Sequence, residues 1–68
     1  MSPYHVSVLD EAGRVLANQE FRTNEQASLY MAAERCARDV SVLELYLDEM
    51  HKETWKLDNT GDWNRENR

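Results

Sequence analysis

The sequence predicts a small α+β domain of order β-β-α-β-β, in which one helix packs on one face of a four-stranded antiparallel sheet. Three observations carry this reading. Residues 4–9 and 14–21 alternate apolar and polar side chains on either side of a glycine-containing turn signal. A helix-start signature at Thr23 opens a run without Gly or Pro. Residues 40–57 then return to strand-like alternation, broken by one polar connection.

The first strand, Tyr-His-Val-Ser-Val-Leu, places Tyr4, Val6 and Val8 on one face and His5, Ser7 and Leu9 on the other. Asp10-Glu11-Ala12-Gly13 suits a type I turn with a bulge, Gly13 supplying the positive φ. The second strand carries Val15, Ala17 and Phe21 toward the core and leaves Leu16 on the other side. Thr23-Asn24-Glu25-Gln26 reads as a capping box, with the Thr23 hydroxyl accepting from the Gln26 N–H. In the helix that follows to Arg38, Leu29, Ala33, Cys36 and Ala37 form one apolar stripe, expected against the sheet, while Met31 falls outside it.

From Val40 onward, Leu43, Leu45 and Leu47 take the core side with Ser41, and Val40, Val42, Glu44 and Tyr46 the opposite side. Asp48 to His51 connects to a last strand, Lys52 to Leu57, whose Trp55 joins the core. An alternative stays open here, because Leu43, Leu47, Met50, Thr54 and Leu57 also fit helical spacing. Residues 1–57 make the single domain, and 58–68 read as a polar, partly disordered tail in which Trp63 is the apolar residue.

Composition excludes whole classes of function. Thirteen acidic against eight basic residues leave a net charge of −5, with the cations scattered, so direct nucleic-acid binding is not expected. It remains the contrasting hypothesis, resting on Arg35, Arg38, Lys52, Lys56 and Tyr46 as a stacking residue. A single cysteine allows no internal disulfide and favours a reducing, cytoplasmic setting. No apolar run approaches membrane-span length. The chain is expected to be neither an enzyme nor a cofactor or metal binder. Cys36 with His5 or His51 is its one thiol–imidazole combination, and Cys36 lies in the expected core stripe. Glu49, His51 and Glu53 read as solvated turn chemistry, one Cys and two His do not supply a zinc site, and two glycines make no phosphate loop.

Two features point toward binding. The acidic turns, Asp10 with Glu11 and Asp48 with Glu49, would resemble a phosphate track if both lay at one end of the sheet. A single helix also leaves one sheet face uncovered, with Leu9, Leu16, Val40, Val42 and Tyr46 expected there as the surface for a partner or a second copy. The alternative is that the Trp63 segment folds over them. A chain this small buries little core and gains from association.

The Tyr-His-Val-Ser-Val strand, the Gly13 turn, a second strand ending Phe21-Arg22-Thr23 and an Ala-rich helix resemble small phage or mobile-element proteins of the anti-CRISPR type. The likeness covers residues 4–57 and lies in architecture, size and acidity. It implies a non-enzymatic inhibitor that occupies the nucleic-acid-binding surface of a basic host protein. The alternative is a bacterial α+β domain acting as a homodimer.

Overall fold

The computed structural model describes residues 3–37, 39–47 and 50–66. Five strands and one helix follow in the order β1 (Tyr4–Leu9), β2 (Val15–Phe21), α1 (Asn24–Glu34), β3 (Val42–Tyr46), β4 (Lys52–Leu57) and β5 (Trp63–Glu66). All pairings are antiparallel and the sheet order is β2-β1-β3-β4-β5. The fold is α+β as expected, with five strands in place of four. The helical alternative for residues 43–57 does not hold: β3 and β4 pair from Val42 with Lys56 to Tyr46 with Lys52, and the Leu47 N–H donates to the His51 carbonyl at 2.9 Å.

The fifth strand lies in the stretch read as a tail. Trp63 pairs with Leu57, and its indole N–H donates to the Arg35 carbonyl at 3.0 Å. Trp63 thus packs on the helix side of the sheet, not over the open face. Arg35 in turn stacks on the Trp55 ring, 4.2 Å from its centroid, so the end of α1 reaches across to β4 and β5.

The core is Val6, Val8, Ala27, Met31, Val40, Leu43 and Leu45. Tyr4, Ala17, Phe21, Leu47 and Trp55 pack against it as expected, joined by Tyr30 and Trp63. The helix faces the sheet by its other side. Met31 is 2% exposed and Ala27 buried, whereas Leu29 is 67% exposed and Ala33, Cys36 and Ala37 face solvent. Apolar residues stand on both sides of this helix, so spacing does not select a face. Volume does: Met31 and Tyr30, which meets Phe21 at 5.1 Å between centroids, bury more surface than alanine and cysteine could. The helix also ends at Glu34, short of Arg38, because the Cys36 and Ala37 N–H groups bond three residues back and tighten the last turn.

Two strand residues also depart from simple alternation. Register shifts between Val8 and Leu9, so Val15 lies opposite Leu9 and is 60% exposed instead of joining the core. Val40, expected on the open face, is 3% exposed within the core. It precedes the first β3 residue, Val42, and irregular backbone there frees it from the strand's phase.

Candidate interaction surface

The same local sequence builds two hairpin turns. Leu9-Asp10-Glu11-Ala12-Gly13 and Leu57-Asp58-Asn59-Thr60-Gly61 both read Leu-Asp-x-x-Gly. In each, the Gly N–H donates to the Asp carbonyl, and the Asp N–H donates to the carbonyl of the residue after Gly. Gly13 and Gly61 have φ of 84° and 87°, a region closed to most side chains. The Asp carboxylates brace the turns. Asp10 accepts from the Arg14 N–H and from its guanidinium, both at 2.9 Å. Asp58 accepts from the Thr60 hydroxyl at 2.6 Å, from the Thr60 and Asp62 N–H groups at 2.9 Å, and from the Asn64 amide at 2.7 Å.

These donors favour the charged form. The Asp58 pKa is lowered to about 2, chiefly by the Thr60 hydroxyl and then by the Asp62 N–H and the Asn64 amide. The Asp10 pKa is held below its ordinary value, first by the Arg14 N–H and then by the guanidinium.

Both turns lie at one end of the sheet. Leu9 pairs with Val42 and Val42 with Lys56, so β1 ends, β3 begins and β4 ends together. Ser41 ties them: its N–H donates to Leu9 at 3.0 Å and its carbonyl accepts from Leu57 at 2.9 Å. Asp39 precedes it and shares a shallow surface depression with Asp10, Glu11 and Arg14. Segments 10–14, 39–41 and 58–62 therefore gather Asp10, Glu11, Asp39, Asp58 and Asp62, and their one cation is Arg14, already paired to Asp10. Asp48 and Glu49 lie outside the described residues. The β3–β4 connection departs from Tyr46, opposite His5 near the start of β1, and so from the other end of the sheet. The turn that shares the sheet end of Asp10 is the one after β4.

The open face is more polar than alternation suggested. Leu9, Val42 and Tyr46 are half-buried there and Leu16 is exposed, while Val40 is absent from it. Tyr46 stacks on His5 at 5.4 Å between centroids, and the His5 ring bonds the Asn18 amide. Lys52 pairs with Glu44 at 2.9 Å and Lys56 with Glu66 at 3.1 Å, which neutralises the cations of this face. A broad open trough of about 880 Å³ runs over β3 to β5. Of the residues motivating nucleic-acid contact, Arg35 is committed to Trp55 and Arg38 lies outside the described residues.

Among the described residues, no three His, Cys, Asp or Glu side chains converge to hold a metal ion, and no helix is long and apolar enough to cross a membrane. Compared with protein-family models, curated proteins and solved structures, the chain matches none.

Proposed function

We propose that this chain is a cytoplasmic, non-enzymatic protein-binding module whose acidic sheet end occupies a basic surface on another protein, of the kind that otherwise holds nucleic acid. The supporting observation is the placement of five carboxylates and one paired cation at one end of the sheet, on three segments whose adjoining strand ends, Leu9 and Leu57, are both hydrogen-bonded to Ser41. The braces at Asp10 and Asp58 keep two of them ionised and fix the turns that present Glu11 and Asp62. A preorganised array of one sign steers a cationic partner and loses less entropy on docking than mobile side chains do. An inhibitor of the anti-CRISPR type, displacing nucleic acid from a host protein, is the form of this proposal that the resemblance suggests.

The test is capture of basic proteins from bacterial lysate by the parent and by Glu11→Lys/Asp39→Lys, two exposed sites that brace no turn. The double variant should retain its circular dichroism and lose the captured partner, and capture by the parent should fall as salt rises. A partner held equally by both proteins and at high salt removes the acidic end as the binding surface.

A further inference from the structure

We infer that two copies of this chain pair through their β2 edges, forming a ten-stranded antiparallel sheet with the two helices side by side. β2 is an edge strand with β1 as its one neighbour; it carries neither Pro nor Lys, its one charge is Glu20, and its register shift lies at Val15, outside residues 17–21. The other edge, β5, is short, and its Arg65 and Glu66 are tied to Glu53 and Lys56 of β4.

The direction of the free backbone groups follows from the ladder. The Leu9 carbonyl accepts from Ser41, on the β3 side, and the Asp10 N–H donates to Arg14, on the β2 side. Backbone groups alternate along a strand, so Val8, Val6 and Tyr4 turn theirs toward β2 and bond Ala17, Gln19 and Phe21. Asn18 and Glu20 then point their N–H and C=O groups away from the sheet.

One self-pairing uses the whole regular segment beyond the bulge. A two-fold axis at Gln19 sets Asn18 against Glu20 of the second copy, and Glu20 against its Asn18, as hydrogen-bonded pairs. The Asn18 side-chain oxygen is engaged by His5, which leaves its NH₂ for the second copy's Glu20 carboxylate. On the helix side, small Ala17 meets the second copy's Phe21, so that ring closes over an apolar neighbour.

The same operation covers the β2-side flank of α1. The helix packs on β1 and β2, with Tyr30 against Phe21. Its first turns therefore lie about one strand spacing from the axis, and the two helices meet at roughly 10 Å, the distance at which helices pack. Gln26 and Ala33, four residues before and three residues after Tyr30, are exposed on that flank and gain a partner.

Light scattering on the parent should give the mass of two 8.0 kDa chains at high concentration. Glu20→Pro removes an outward N–H and spares the β1 ladder, and Ala33→Glu charges the helix flank; each should return a folded monomer. In a Cys36→Ala background, Gln19→Cys should oxidise to a cross-linked dimer and Asn18→Cys should not, because residue 19 alone meets itself on the axis. A parent that is monomeric at every concentration overturns the proposal. So does a dimer that survives both Glu20→Pro and Ala33→Glu, or cross-linking that is equal at positions 18 and 19.

Discussion

Met31→Ala tests which side of α1 faces the sheet. Met31 is 2% exposed and packs in the core with Ala27, Val6 and Val8. Truncation removes Cγ, Sδ and Cε, worth about 2.4 kcal/mol at about 0.8 kcal/mol per methylene-sized group. The space left under the helix collapses only in part, which brings the cost to about 3 kcal/mol. For a domain of this size that corresponds to a Tm lower by roughly 12–24 °C. Cys36, on the exposed side, gives the contrast: Cys36→Ala should stay within about 0.5 kcal/mol of the parent. Urea unfolding followed by far-UV circular dichroism measures both. If Cys36→Ala costs as much as Met31→Ala, or Met31→Ala costs less than about 1 kcal/mol, the helix is turned by half a revolution and this packing is wrong.

Three further outcomes follow from the turns and the helix start. Asp58 has a folded pKa of about 2 against an ordinary 3.8, so its stabilising effect is present above 3.8 and is lost as pH falls through about 2. Trp63 fluorescence should report loosening of the β4–β5 hairpin across that window, and Asp58→Asn should abolish the transition; an unchanged acid profile in the variant contradicts the assignment. Gly61→Ala should cost about 1 kcal/mol through the positive φ alone, since a Cβ there meets nothing within 4 Å, and Gly61→Asn should cost less in the same unfolding assay. Thr23→Ala should lower stability by about 1 kcal/mol, because the Thr23 hydroxyl accepts from the Gln26 N–H at 3.2 Å; an unchanged melting curve means the helix starts elsewhere.

What could be read from the chain divides along physical lines. β1, β2, β3 and β4 announce themselves through alternation, and the Thr23 start through its cap, because these signals are local. β5 escapes alternation, since Asn64, Arg65 and Glu66 follow Trp63 with no apolar phase. The repeat of Leu-Asp-x-x-Gly at Leu57–Gly61 was the signal that could have found it. The face of α1 was not legible, because spacing allows two stripes and the larger side chains of one decide between them. Alternation misplaces Val15 and Val40 because it loses phase through a bulge and a loop. Of the acidic end, Asp10 and Glu11 could be read as turn residues. That Asp39, Asp58 and Asp62 join them depends on the strand order, which places β1 beside β3, and no short-range pattern encodes that.

That central pairing also governs how the chain can fold in time. Three of the four strand contacts are hairpins between sequence neighbours and form in microseconds. The fourth requires Leu9 to find Val42 across the whole of β2 and α1, and each half then lends the other its apolar face. Closing that long loop is the slow event, and the transition state should contain β1, β3 and the helix resting on β1. Truncations at Val8 or Leu43 should therefore slow refolding. Truncation of Trp63, which docks afterwards, should leave refolding nearly unchanged and hasten unfolding, so that the outermost strand sets the lifetime of the native state and the innermost pair sets the speed of reaching it.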